Sequence, residues 1–432
     1  MTADSAIVQK DLTAAGAQVR EGGAADAIGD AGDTIVPAFV ALPGSTDEAA
    51  AVMRVAAERE LAVVVRGAGS RLGWGTPPSR ADLLIDTSRM SSVVEHAAGD
   101  LVARVQAGAR IGDVATVLGA AGQEIALDVP AAATVGGVVG SGLAGPRRLR
   151  YGTPRDLLIG ITIVRADGTV AKSGGKVVKN VAGYDLGKLM AGSAGTLALI
   201  TEAIFRLHPL AAARAYVTAD YAAVSVACDA VAEAANSPLT SAAVELYREA
   251  PGGPLYVGVL LEGSADGVAA RAMRMAGLLG TSDIAETAPE WWPGAPDAAD
   301  GTALVRVSFW VSALGTVLDA IDATAAAAGV SPVITGSAGA GVLYVRLDQD
   351  VSAEAPDEHT VRVARFVGVL RRALAEQRGS VVVLTAPASV REELALDGGM
   401  HGTVPSLSLM RAVKEQFDPG HRMSPGRFPE GI

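Results

Sequence analysis

The chain has 432 residues, half of them hydrophobic, and a formal net charge of −11. That length exceeds one ordinary core and points to two domains, while the acidic balance argues against binding nucleic acid through its phosphates. A single cysteine, Cys228, excludes an internal disulfide and a cysteine-ligated iron–sulfur cluster. No apolar run is expected to span a membrane and no secretory signal opens the chain. The expected home is the cytoplasm, soluble or peripheral to a membrane through a partner.

Residues 1–35 read as a leader, a short helix in loose chain, and order is expected from residue 36. Ser45-Thr-Asp-Glu48 has capping-box spacing, and Ala49, Val52, Met53, Ala56 and Ala57 follow at helical intervals. With a buried strand at Leu61–Val65, this β-α-β opening delivers the segment Arg66-Gly-Ala-Gly-Ser70 at a strand end. Short strands are expected at Leu83–Asp86, Ser92–His96 and Val102–Gln106, then a helix at Ile111–Ala121. A hairpin at Asp167-Gly168 links Leu158–Arg165 to Thr169–Lys172, and Thr196–Leu207 closes the first domain, 36–210. From 211 to 403 helical patterns (221–236, 265–279, 313–328, 360–377) alternate with strands, an α+β second domain. The segment 288–300 reads as a surface loop. Residues 404–432 give a last helix and an ordered tail that returns to the first domain.

Three glycine-rich stretches stand out: 63–75, 129–145 and 173–202. Bare backbone can lie close to a large ligand, and loops with free N–H groups suit a pyrophosphate. Gly140-Ser-Gly-Leu-Ala-Gly145 matches G-x-G-x-x-G literally, but Pro146 and Arg147 follow where the dinucleotide fingerprint needs a helix. No G-x-x-x-x-G-K-[ST] is present, which excludes a P-loop. Three such loops in one half of a chain suggest one extended cofactor held at several points.

Taken in order, these segments resemble the FAD-binding domain of the p-cresol methylhydroxylase and vanillyl-alcohol oxidase type. The residues that carry the likeness are Arg66–Ser70; Pro130, Thr134–Gly137 and Gly142; Tyr151-Gly152; Asp167-Gly168; Gly183–Leu186; Gly192–Gly195; and Ile200-Thr201. The tail motif F-D-P…P-G-R-F recurs in the same family. Gly145-Pro-Arg-Arg148 and the run from Gly174 to Asp185 are similar to the FAD-binding subunits of bacterial glycolate oxidases. The resemblance implies an α+β fold: a two-part FAD-binding domain and a C-terminal α+β cap domain.

It also implies non-covalent FAD, since the first loop has neither His nor Cys for a flavin link. Its cofactor-binding residues would be Arg66, Gly67, Ala68, Gly69, Ser70, Pro130, Thr134, Val135, Gly136, Gly137, Ser141, Gly142, Tyr151, Gly152, Gly183, Tyr184, Asp185 and Ile200. The Arg66–Ser70 loop would wrap the pyrophosphate. The activity implied is oxidation of a small 2-hydroxy acid, with electrons passed to a second flavoprotein subunit and an iron–sulfur subunit.

Such chemistry needs a cation for the carboxylate and a base for the hydroxyl proton. Arg147 and Arg148 are candidates for the carboxylate; a solvated basic patch or docking site for an acidic partner is the competing reading. Arg427 is a weaker candidate for a cofactor contact. The five histidines are scattered and no pair has metal-ligand spacing, so no metal is expected. The metal-linked G-D-G-N-x-H signature of related catalytic dehydrogenases is absent, which leaves open a non-catalytic FAD subunit that relays electrons or stabilises a complex.

Overall fold

The computed structural model describes residues 3–29, 34–175, 185–297, 301–348, 356–377 and 379–432. The chain divides into two compact units, one made of Met1–Leu143, Thr153–Leu210 and Val404–Ile432, the other of Ala144–Gly152 and Ala211–Thr403. The segment Ala144–Gly152 thus belongs with the second unit, although it was expected in the first domain.

In the first unit, Phe39–Leu42 and Val63–Arg66 flank Leu83–Asp86, all three parallel. The connecting helix Thr46–Glu58 starts where the side chain of Ser45 accepts the amide of Glu48. It buries Ala49, Val52, Met53 and Ala56, the stripe that the helical spacing marks. Parallel strands leave their C-terminal ends open to ligands, and the loop after Arg66 leaves from such an end. A five-stranded antiparallel sheet follows, ordered Val93–Ala97, Val102–Gln106, Ala198–Arg206, Leu158–Arg165, Val170–Gly174.

The leader is more ordered than expected. Helix Ala3–Ala14 buries Val8 and Leu12, and strand Gln18–Glu21 pairs antiparallel with Phe39–Leu42. Beyond the strand, Asp26 is 2% exposed and ion-paired to both Arg20 and Arg66, which ties the leader to the first loop's start. The tail is anchored as firmly. Lys414 is buried, donates to the carbonyls of Thr196 and Met423, and pairs with buried Asp418. Met423 then runs parallel to Val63, with amide–carbonyl bonds on both sides of the contact.

The second unit is an eight-stranded sheet whose named pairings are all antiparallel. Val224–Asn236, Ala265–Leu279, Leu314–Ala328 and Pro356–Ala375 supply its helices. Val244, Leu246, Val257 and Val259 join the helices in the core, so alternation sends Glu245, Tyr247, Tyr256 and Gly258 to the opposite face. The segment expected as a surface loop packs there. A side chain at Gly258 would place Cβ 2.7 Å from Trp291 and 2.8 Å from Trp292, and Trp291 stacks on Tyr247. Val311–Ala328 is, against expectation, long and apolar enough by length and composition to cross a membrane; here Leu314, Val317, Leu318 and Ile321 sit in the core of this unit.

Asp26 makes a pH-dependent contribution. The hydrogen bond from Arg20, foremost, holds its carboxyl well below the usual value of 3.8. The folded chain therefore releases this proton more readily than the unfolded chain does. The stabilisation is complete above the unfolded value and drains away as pH falls from about 4 toward the lower folded value. Asp26→Asn should lower unfolding free energy at pH 7 by about 2 kcal/mol. It should also flatten stability between about pH 4 and 2 relative to the parent, as read by urea unfolding across pH.

Candidate functional site in the first unit

The first glycine loop is pinned at its start. Arg66 ends its strand and spends its guanidinium on protein partners: Asp86 through Nε and Nη2 at 3.2 and 2.8 Å, and Asp26 through Nη2 at 3.0 Å. Desolvation of Asp86 opposes ionisation, yet hydrogen bonds from Ser88 and Arg66 still hold its carboxyl below the usual value. Arg66 is therefore an anchor for the loop rather than an available phosphate ligand.

The residues that follow behave differently. Among the described residues, the amide N–H groups of Gly67, Ala68, Gly69 and Ser70 donate to no acceptor. Ala68 and Ser70 are exposed, so these donors can reach a ligand. Gly69 has φ +81°, the left-handed conformation that turns successive amides toward one side. Gly67 is needed for closeness: a Cβ there would lie 2.0 Å from the hydroxyl oxygen of Thr134. That contact brings the first and second glycine loops together. Four open donors at the C-terminal end of parallel strands fit an anionic diphosphate.

The second loop contributes shape more than donors. Thr134 caps the helix Val135–Ser141, accepting the Gly137 amide on its side chain. The amides of Val135 and Gly136 are taken by the carbonyls of Ala109 and Ala107. The expectation of free N–H groups in every glycine loop thus fails here. Gly136 allows close packing, since its Cβ would lie 2.9 Å from that of Ala107. Gly137 and Pro130 are exposed, and Ser141 returns its hydroxyl to the carbonyl of Gly137. The helix Val135–Ser141 was not expected, and Gly142 ends it at φ +66°. The G-x-G-x-x-G match therefore sits on a helix end, the reverse of the dinucleotide fingerprint.

The third stretch is tied to this helix. The amides of Gly192 and Ala194 donate to the carbonyls of Val139 and Gly140. Gly183 and Tyr184 lie outside the described residues. Asp185 caps the helix Leu186–Met190 by accepting the Lys188 amide. Ile200 is buried in its strand opposite Ile163, just before a register shift.

Tyr151, Gly152, Arg147 and Arg148 fall in the second unit. Arg147 is not available as a carboxylate ligand. It is buried and pairs with Glu262 at 3.4 Å, and the same carboxylate accepts from Arg214 and from the Tyr151 hydroxyl. Arg148 instead lines a cavity of about 240 Å³ with Glu245, Tyr247, Thr335, Tyr344 and Arg346. Its Nη2 donates to the Tyr344 hydroxyl at 2.9 Å and to the carbonyl of Ala144, and its Nε to that of Gly145. Among the described residues its Nη1 has no hydrogen-bond partner. Burial lowers the pKa of neighbouring Arg306. Glu245, 1% exposed, went unnoticed in the sequence because one acidic residue in an apolar strand carries no motif.

No group of three or more His, Cys, Asp or Glu suited to a metal occurs among the described residues. Burial pushes the Cys228 thiol up to about 11, so it stays protonated at neutral pH.

Comparison with known proteins agrees with the geometry. Residues 37–174 match the model of the FAD binding domain. Glycolate oxidase subunit GlcD of Bacillus subtilis is 32% identical over 216 residues, 50% of this chain and 46% of that protein. D-lactate dehydrogenase of Archaeoglobus fulgidus is 35% identical over 39% of this chain and 38% of its own length. Glycolate oxidase subunit GlcE of Escherichia coli K12 is 36% identical over 34% and 42%. The chain thus spans less than half the length of each of these relatives. Among solved structures, a chitooligosaccharide oxidase superposes with a TM-score of 0.69 at 16% identity, covering 96% of this chain and 97% of the other. An Acremonium strictum glucooligosaccharide oxidase gives 0.68 at 18% identity, covering 96% of each. Likeness at such identity is one of fold. The open amides of the first loop, the strand ends that carry them and the matched region coincide: residues 37–174 match an FAD binding domain, and the first loop lies within that match.

Proposed function

We propose that the chain is an FAD-dependent oxidoreductase subunit that oxidises the CH–OH group of a small 2-hydroxy acid. The observation that carries this reading is the cavity in the second unit, where the uncommitted Nη1 of Arg148 and the buried carboxylate of Glu245 share one lining. A guanidinium can hold the substrate carboxylate. Glu245 would accept the hydroxyl proton, and the Tyr344 hydroxyl, already bonded to Arg148, would keep that guanidinium oriented. A volume of about 240 Å³ suits a small acid better than a long one. FAD, when bound, supplies the hydride acceptor. The amides of Gly67–Ser70 would hold its diphosphate without a covalent link.

Relatives named as glycolate oxidase subunits and as a D-lactate dehydrogenase support the substrate class. Two of them are named as glycolate oxidase subunits, GlcD and GlcE, which favours assembly with a second flavoprotein subunit. One thiol cannot ligate an iron–sulfur cluster, so electrons would leave to another protein or a diffusible acceptor, and the resemblance to glycolate oxidase subunits favours an iron–sulfur partner. The chain would work in the cytoplasm.

Anaerobic mixing of the FAD-loaded chain with glycolate or D-lactate should bleach the flavin absorbance. Arg148→Gln should weaken apparent affinity for the acid by roughly 10- to 100-fold, with partial recovery in Arg148→Lys. Bleaching only when a partner subunit is added would favour the non-catalytic FAD subunit. Absence of bleaching under both conditions would overturn the proposal.

A further inference from the structure

Arg427 is a buried cation with no ion-pair partner among the described residues. It is 5% exposed, and Nη2 donates to three backbone carbonyls of the first glycine loop: Arg71 at 3.0 Å, Leu72 at 2.9 Å and Trp74 at 2.9 Å. Its Nη1 is buried and finds no acceptor among the described residues. Burial lowers its pKa to about 10. The group therefore remains protonated at neutral pH. Beside it the tail is fixed to the same region, with the Ser79 amide bonded to the carbonyl of Pro425 and Gly426 at φ +83°.

An uncompensated buried charge is costly, and a chain keeps one where a ligand or partner supplies the balance. The loop whose carbonyls Arg427 holds is the loop whose amides at Gly67–Ser70 stand open. One end of that loop is thus neutralised by the carboxylates around Arg66, and the other is held by a cation with an unused donor.

We propose that Arg427 is a positioning residue of the FAD diphosphate subsite. It fixes the carbonyl side of the loop, and its charge is balanced by the diphosphate when the cofactor binds. The C-terminal tail and the cofactor are then coupled. FAD strengthens docking of the tail, and a docked tail strengthens FAD binding by the same factor. This inference rests on the FAD-binding domain and not on the substrate proposed above.

Titration of FAD into the apoprotein, followed by quenching of flavin fluorescence at low and high salt, tests it. Arg427→Gln should weaken FAD at least tenfold and remove most of the salt dependence. Arg427→Lys should keep the salt dependence while losing part of the affinity. The dissociation constant of ADP, obtained from its competition with FAD, should rise in both variants, while that of adenosine, which has no diphosphate, should be unchanged. Melting of each apoprotein separates this from a purely packing role. A lower apoprotein melting temperature with equal FAD and ADP affinities in all three proteins would overturn the proposal. Should the Gln variant fail to fold, the Lys variant decides alone: equal losses for ADP and adenosine would sink the idea.

Discussion

Four consecutive backbone amides without an acceptor among the described residues offer a row of donors to a ligand, and the first unit is organised around holding them. In the Gly67–Ser70 segment they are left open, so the loop must be fixed by other bonds. Arg66 is clamped between Asp86 and Asp26, Gly67 is pressed against Thr134, and Arg427 gathers three carbonyls beyond Ser70. The leader and the tail, remote in sequence, meet the same loop from two sides. Preorganisation of this kind makes donors useful to a diphosphate, because little ordering remains to be done at binding.

The second unit applies a different logic. Its sheet gives one face to helices and an apolar core, and keeps charged and aromatic residues on the other. Trp291 and Trp292 cover part of that face, and Gly258 makes room for both rings. The remainder holds the cavity of Arg148, Glu245 and Tyr344. Glu262 gathers Arg147, Arg214 and Tyr151 nearby, which fixes the short crossing segment that carries Arg148. Two arginines adjacent in sequence thus have separate tasks, one structural and one facing the cavity.

Much of this was legible in the residues. Ser45 and the Ala49–Ala56 stripe announce their helix, and the bare loop after Arg66 announces a ligand. The glycines also mislead, since a sequence does not show which amides are already bonded. Val135 and Gly136 look as free as Gly67 until the carbonyls of Ala109 and Ala107 are seen to take them. Arginines are equally opaque. Arg66, Arg147 and Arg427 each resemble an anion ligand, and their long-range partners decide otherwise for the first two. Asp26 sits in a polar leader, and its pairing with Arg66, like the burial of Val8 and Leu12 and the pairing of Gln18–Glu21 with Phe39–Leu42, joins that leader to the rest of the unit. Such contacts join residues far apart in the chain, where local patterns carry no signal.

The central claim concerns particular amides, so it is best examined at those atoms. In protein labelled with 15N-glycine, addition of FAD should shift the amide resonances of Gly67 and Gly69 strongly. Gly280 and Gly329, which end helices of the second unit, should hardly move. Saturating FAD that leaves the Gly67 and Gly69 signals in place would contradict the account.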